Sequence, residues 1–340
     1  MNSIKIRYAT DKDRYSWNDF VYNHEDSTYS HVFEWRDIIG RTYGLKSKYL
    51  IFHVGKEIVG LLPLIWVSSM IGKGSWVSVP FTNYGGLICK RKINRNNFIK
   101  LTRSVLGKEE KISLRELQIK DQKQVSIATS RLSLTNEDEI WKGFKAKVRN
   151  QVRKAIKSKL QISSDIKHLK LFYDKVYVKS MHRLGTPHHS WDFFYRLIKL
   201  FPTDKGFITV WHNDHLIAGM LYVVVNEIFY DIAANSLKEY NALCPNNLLY
   251  WEAMKIAMDL KCKKFDFGRS TINTGVFKFK QQWGPEVYPI YTTYMCKDGK
   301  IMLNNNIYES RFYKRSSILW QITPSIITNP FGPAIRRYLP

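Results

Sequence analysis

Two stretches far apart in the chain carry one pattern: "IFHVGKEIVGLLPL", Ile51 to Leu64, and "VWHNDHLIAGMLYV", Val210 to Val223. Each runs apolar strand, polar turn, apolar strand. They align without a gap, His53 with His212, Gly55 with Asp214, Ile58 with Ile217 and Gly60 with Gly219. The turn pairs "GK" and "ND" supply residues that accept the positive φ of a tight hairpin. The alternatives are chance likeness of two short hairpins or a duplicated domain, and a length of 340 residues suits two domains.

The pattern around the hairpins is mixed α/β (α+β). "SWNDFVYNHED" and "FEWRDIIGRTYG" read as helices before the first hairpin. "LKLFYDKVYVKSMHRLG" and "SWDFFYRLIKLF" read as helices before the second, with Ser190 placed as an N-cap. After it come a strand, "NEIFYDIAANS", and a helix, "NNLLYWEAMKIAMDLKCKK", in which Leu248, Trp251, Met254, Ala257 and Met258 recur at three- and four-residue steps. That helix feeds the strand "FDFGRS". The expected division is a first domain over 1–160, a second over 161–300 that carries the active site, and an amphipathic tail over 301–340.

A formal charge of +24 implies an anionic partner: a nucleic acid, a phosphorylated substrate or an anionic membrane face. The charge is concentrated in "WKGFKAKVRNQVRKAIKSKL", Trp141 to Leu160, which reads as one helix. Trp141, Phe144, Val148, Val152 and Ala155 form its apolar face, and the opposite face is cationic and contains no acid. Like charges on successive turns repel, so this face is either simply solvated or one that an anion lies against. Cys89, Cys244, Cys262 and Cys296 are widely spaced, without CxxC, which disfavours a zinc site or a disulfide framework. With no apolar leader and no spanning-length apolar run, the sequence reads as cytoplasmic.

The usual catalytic signatures are absent: no GxSxG, no GxxxxGK[ST] and no HExxH. His182, His188 and His189 cluster in "MHRLGTPHHS" without metal-ligand spacing and read as structural or substrate-contacting. Direct transfer between two bound substrates fits a chain lacking an evident nucleophile. In "FDFGRSTINTGVFKFKQQWG" the alternation past Gly268 reads as a strand, with Lys278 and Lys280 on one face and Phe277 and Phe279 on the other. Such a lysine either snorkels from a half-buried strand or supplies a point charge to a developing oxyanion.

The run "NNLLYWEAMKIAMDLKCKKFDFGRSTINTGVFKFKQQWGPE" resembles the C-terminal signature of the Fem-type (FemAB-like) aminoacyltransferases. These are the peptidoglycan-bridge enzymes and their relatives in polysaccharide and exosortase-associated loci. "PFTNYGG", "VRNQVRKAIKSKL", "RLGTPHHSWDFF" and "ITNPFGPAIRRYLP" resemble further segments in the same order, from about residue 20 to the C-terminus. The resemblance implies two tandem GNAT-like (GCN5-related acetyltransferase) domains. It also implies transfer of an activated acyl or aminoacyl group to an amine of a cell-envelope precursor. The family's FK pair falls on Phe279 and Lys280, with Lys280 as the oxyanion stabiliser. Gly268, Arg269 and Ser270 would meet the acceptor's phosphate or carboxylate, and Asn83, Tyr84, Gly85 and Gly86 would face them from the first domain. Arg149, Arg153 and Arg183, which stand in the matching segments, complete the expected substrate-binding set.

Two departures leave the donor open. The long helical hairpin of tRNA-using members has no room here, and neither hairpin is followed by the [QR]xxGx[GA] loop that cradles coenzyme A. The donor is therefore acyl-CoA or aminoacyl-tRNA, and no tightly bound cofactor is expected. The acceptor is a phosphorylated or lipid-linked precursor, and the tail's Trp320, Ile322, Ile326 and Phe331 with Arg336 and Arg337 either rest on the anionic inner membrane face or pack on the second domain. The alternatives are an acyl-CoA-dependent N-acetyltransferase of a nucleotide-linked amino sugar and a non-catalytic basic nucleic-acid binder.

Overall fold

The computed structural model describes residues 3–70, 74–91, 94–107, 111–117, 126–295, 301–303 and 311–339. In the first half, β1 (Lys5–Tyr8), α1 (Arg14–Tyr22) and α2 (Trp35–Tyr43) precede the hairpin of β2 (Ser47–Val54) and β3 (Glu57–Val67). Then follow β4 (Ser75–Val77), β5 (Ile88–Cys89), α3 (Arg95–Leu106) and β6 (Ile112–Glu116). Next come β7 (Ile127–Ser133), α4 (Glu137–Gly143), α5 (Ala146–Lys157), β8 (Gln161–Ser163), α6 (Leu169–Phe172), α7 (Val178–Arg183) and α8 (Trp191–Leu200). The second hairpin is β9 (Lys205–His212) and β10 (His215–Val225), followed by β11 (Ile228–Ser236), α9 (Pro245–Asp259), β12 (Lys264–Thr271), α10 (Gly275–Gln281) and β13 (Glu286–Pro289). The chain closes with β14 (Tyr291–Met295), β15 (Ile301–Leu303), α11 (Arg311–Ile322) and α12 (Ser325–Arg336).

The two hairpins are the same object. β2 and β9 are each 8 residues with one burial pattern, and β3 and β10 are each 11. Gly55, Asn213 and Asp214 take the positive φ that the turns require. Each hairpin carries a bulge, and an aromatic edge lies 2.8 Å from where a Cβ would sit on Gly60 (Phe98) and on Gly219 (Phe172). The sheets run β1-β2-β3-β4-β6-β14-β15, with β5 on β3, and β13-β7-β12-β11-β10-β9-β8. Each holds one parallel pair, β4 with β6 and β11 with β12, among antiparallel neighbours.

The segments do not follow the expected divisions at 160 and 300. β7 belongs to the second sheet, and α4 and α5 pack on α9 in that sheet's core through Phe144, Val148 and Val152. β14 and β15, past the second domain's last strand, return to the first sheet. The two halves are further fused by a shared core in which Trp17, Tyr29, Trp35 and Tyr49 meet Phe172, Tyr177, Phe193 and Tyr230. Burying such rings removes 150–250 Å² each (about) from water, enough to make this interface part of the fold.

Two expected elements differ. Trp141 to Leu160 is not one helix: Phe144 and Lys145 leave helical ψ, at 146° and 144°. Arg149 explains how the break is tolerated, its Nη1 donating to the carbonyls of Lys142 (3.0 Å) and Phe144 (2.5 Å), which α4 leaves unpaired. The stretch after β12 is a helix, α10, and not a strand. Thr274 caps it by accepting from the Phe277 N–H (3.3 Å), and the 3.6-residue period parts Lys278, exposed, from Lys280, buried. The apolar run "IVGLLPLIWV" lies in β3, and no helix among the described residues is long and apolar enough to cross a membrane. Cys89, Cys244 and Cys262 are free, and Cys296 lies outside the described residues.

Candidate active site

β11 and β12 pair from Ile228–Lys264 to Tyr230–Asp266 and then part. The parting is built around Asp266, which is fully buried. Its carboxylate accepts from Thr129 Oγ1 (2.6 Å), Arg131 Nε (2.9 Å), the Gly268 N–H (2.8 Å) and the Tyr84 hydroxyl. Arg131 also donates to that hydroxyl. β12 shifts register against β7 here, and Gly268 sits at φ 71°. A Cβ on Gly268 would stand 3.1 Å from Asn83 Nδ2 and 3.2 Å from the Asp231 carbonyl, so a side chain would push the first domain's loop away.

That loop, "PFTNYGG", is held from several sides. Ser30 Oγ donates to the Tyr84 carbonyl (2.5 Å), the Asn83 N–H to Tyr29 Oη (2.9 Å) and the Gly85 N–H to the Arg115 carbonyl (2.9 Å). Val79 and Phe81 stand at φ 47° and 69°, a backbone state that costs about 1–3 kcal/mol each and persists only where surroundings enforce it.

Between the parted strands and this loop lies a cavity of about 280 Å³. Its charged lining is Lys280, Arg269, Arg336 and Asp231; Asn83, Asn235 and His189 add polar groups, and Phe81, Tyr177, Phe193 and Tyr250 the walls. The Lys280 Nζ donates to the carbonyls of Gly268 (3.0 Å) and Arg269 (3.3 Å), which commits two of its three N–H groups. Burial lowers its pKa, partly offset by Asp231 and Asp266. Asp231, on β11, accepts from Tyr250 Oη (2.6 Å), and burial pushes its pKa up to about 6 against the pull of Lys280. His189 is held neutral: burial, then Arg336, drives its pKa well below the usual range. It exchanges a 2.5 Å hydrogen bond with Tyr43 Oη and accepts from Arg336 Nε (3.2 Å). A larger cleft of about 670 Å³ beside Thr203–Phe207 holds only Asp204 and Lys205 as charged groups, with no convergent buried pair.

Of the residues expected from sequence, Lys280, Arg269, Gly268 and Asn83 line the cavity. Tyr84 stands behind it, and Gly85 and Gly86 are turned toward Arg115 and Glu116. Phe279 packs away from it, edge-on to Tyr250 at 5.4 Å in the second core. Ser270 is buried with its Oγ unpartnered, off the cavity wall. Arg183 is exposed on α7 and reaches Ser180 Oγ (3.5 Å), which itself accepts from Asn235. Arg149 and Arg153 lie on α5, outside the cavity lining, one filling the helix break and the other over Trp141 at 5.5 Å. Sequence reasoning missed Asp231, Arg131, Asp266 and the cavity-facing role of Arg336. The three histidines fasten the C-terminal hairpin: His182 Nε2 to the Thr323 carbonyl (2.8 Å), His188 Nε2 to that of Asn329 (3.1 Å), and His189 to Arg336. No metal-binding group of His, Cys, Asp and Glu is found among the described residues.

Two sheets, each with one parallel pair, and a site where the second pair parts define a tandem GNAT-type protein. Residues 142–281 match the family model described as an acetyltransferase (GNAT) domain. That match spans less than half of the chain, and the fold as a whole is that of two GNAT-like domains. FemX is 14% identical with a TM-score of 0.65, over 84% of this chain and 95% of that one. L-PGS from Bacillus licheniformis is 8% identical with a TM-score of 0.54, over 96% and 98%. A tandem GNAT protein from the clavulanic acid biosynthesis pathway is 9% identical with a TM-score of 0.51, over 86% and 98%. These identities carry the fold alone. No curated protein matches the chain by sequence.

Proposed function

We propose that the chain transfers an activated acyl or aminoacyl group to the amine of an anionic cell-envelope precursor, with Lys280 and Asp231 at the reacting atoms. The observation that carries this reading is the buried ammonium of Lys280, with one N–H left over, beside a carboxylate of raised pKa in a cavity walled by Arg269 and Arg336. An aliphatic amine arrives protonated at neutral pH. Asp231 takes that proton, and a base of pKa about 6 is ionised and ready near pH 7. The amine nitrogen then attacks the acyl carbon. The new C–N bond forms first, giving a tetrahedral adduct. The C–S or C–O bond to the donor then breaks, and the departing thiolate or alkoxide takes up the proton that the attacking nitrogen sheds as it becomes the amide. Lys280 donates to the carbonyl oxygen as it becomes an oxyanion, from a buried position where one charge counts for more than it would in water. The surplus of cations over Asp231 suits an acceptor with phosphate or carboxylate groups.

The donor is an aminoacyl ester on tRNA or an acyl-CoA thioester. The GNAT domain match favours the thioester. Against it, the segment between β11 and α9 is a 3-10 turn over Lys238–Leu243 without the glycine loop expected to cradle a pyrophosphate. Native mass spectrometry with a panel of acyl-CoA thioesters and total charged tRNA separates the two. Donor consumption in the presence of a lipid-linked precursor extract then tests the site. Lys280→Met is expected to bind donor normally and turn over at least ~100-fold more slowly, the loss typical of one oxyanion donor. Consumption equal to wild type would remove Lys280 from the chemistry.

A further inference from the structure

The hairpin of α11 and α12 is fastened by one face and bare on the other. On α12 the inner face is Thr328, Gly332 and Arg336, all buried, four residues apart and so in one row along the helix. Gly332 packs where a Cβ would strike the His188 ring at 2.7 Å, and Arg336 enters the cavity. The outer face holds Ile326, Ile327 and Phe331, and α11 adds Ile318, Leu319 and Ile322. These are among the most exposed large apolar side chains of the molecule, Ile322 at 72% and Ile326 at 82%. Scattered apolar residues on a surface need no partner, but six on one short hairpin form a patch that does.

We propose that this face seats the protein on an anionic lipid bilayer. Charge chooses the occupant: from Ser310 to Pro340 the sequence has no acidic residue and five cations, Arg311, Lys314, Arg315, Arg336 and Arg337. With Arg336 turned into the cavity, the outward cations that the structure describes are Arg315, exposed, and Arg337, half-buried. An apolar face with cations and no acid, on a helix too short and too polar to span, is the pattern of an element lying in the headgroup layer. The inner row of the same helix carries Arg336 into the cavity. Seating by the outer face therefore brings the cavity within about one helix diameter, ~10 Å, of the headgroups. Lipid binding is read without any acyl donor, so its outcome stands apart from that of the chemistry proposed above.

The test is flotation of the full chain with vesicles of equal parts phosphatidylglycerol and phosphatidylcholine, against vesicles of phosphatidylcholine alone. The wild type is expected to float with the anionic vesicles at low salt and not with the neutral ones. The double variant Ile326→Glu, Phe331→Glu should float at least ~10-fold less, with an unchanged thermal midpoint, since neither side chain is packed. Absence of wild-type flotation, or flotation of the variant like wild type, would overturn the proposal. So would sedimentation equilibrium showing a dimer that the double variant dissolves, because the face would then belong to a second copy.

Discussion

Replacing Asp231 by Asn tests both the chemistry and the electrostatics of the cavity. The carboxyl is buried and accepts one hydrogen bond from Tyr250, and burial raises its pKa to about 6 from the 3.8 of an exposed Asp. Because the folded pKa is the higher one, the native state holds the proton more firmly than the unfolded chain. The associated stability is complete below pH 3.8 and is lost as the pH rises through about 6. A shift of this size corresponds to at most about 3 kcal/mol. Asn keeps the acceptor for Tyr250 but cannot ionise. Relative to the variant, the wild type should thus lose up to about 3 kcal/mol of unfolding free energy between pH 4 and pH 7 in urea titrations. In transfer assays the wild-type rate should fall below pH 6, about tenfold per unit, while the variant is flat and ~100-fold slower at pH 7, as for loss of a general base. Neighbouring Lys280 loses a favourable charge in the variant, so part of the stability gain will be returned. A stability difference independent of pH, or an acid limb that survives in Asp231→Asn, would refute the reasoning.

Two further substitutions probe the scaffold. Arg131→Met leaves Asp266 buried without its only ion-pair partner among the described residues, and should lower stability by about 3–5 kcal/mol, read as a shift in the urea midpoint. Gly268→Ala forces a side chain into left-handed backbone at a cost of about 1–2 kcal/mol and presses on Asn83. It should weaken acceptor binding more than donor binding, measured by separate titrations.

The legible parts of the sequence were those with local causes. Alternation with a left-handed turn identifies a hairpin wherever it folds, so the repeat at Ile51 and Val210 matched the structure in strand length and bulge. Ser190 was readable as a cap because capping involves only the next three residues, and its Oγ accepts from the Phe193 N–H at 3.3 Å. "FKFK" misled because four residues are too few to tell a period of 2 from one of 3.6, and in the helix that forms Lys280 turns inward and Lys278 outward. What decides between them is Thr274 at the cap, which the pattern did not weigh. Trp141 to Leu160 misled similarly, since Arg149 looks like one more surface cation until the break it closes is known.

The sequence by itself determined that the chain has two hairpin-bearing α/β halves, a cationic character, and, through its resemblance, Lys280 as the residue to watch. These are properties of neighbouring residues or of totals, and they survive any arrangement of the elements. Only the tertiary structure decided that β7 joins the second sheet and β14 the first, because strand pairing is a contact between distant segments with no local signature. The same holds for the cavity. Asp231 is an ordinary strand residue until burial raises its pKa, and Arg336 is a tail cation until α12 turns it inward. Their chemistry comes from what surrounds them, and the surroundings are assembled from both ends of the chain.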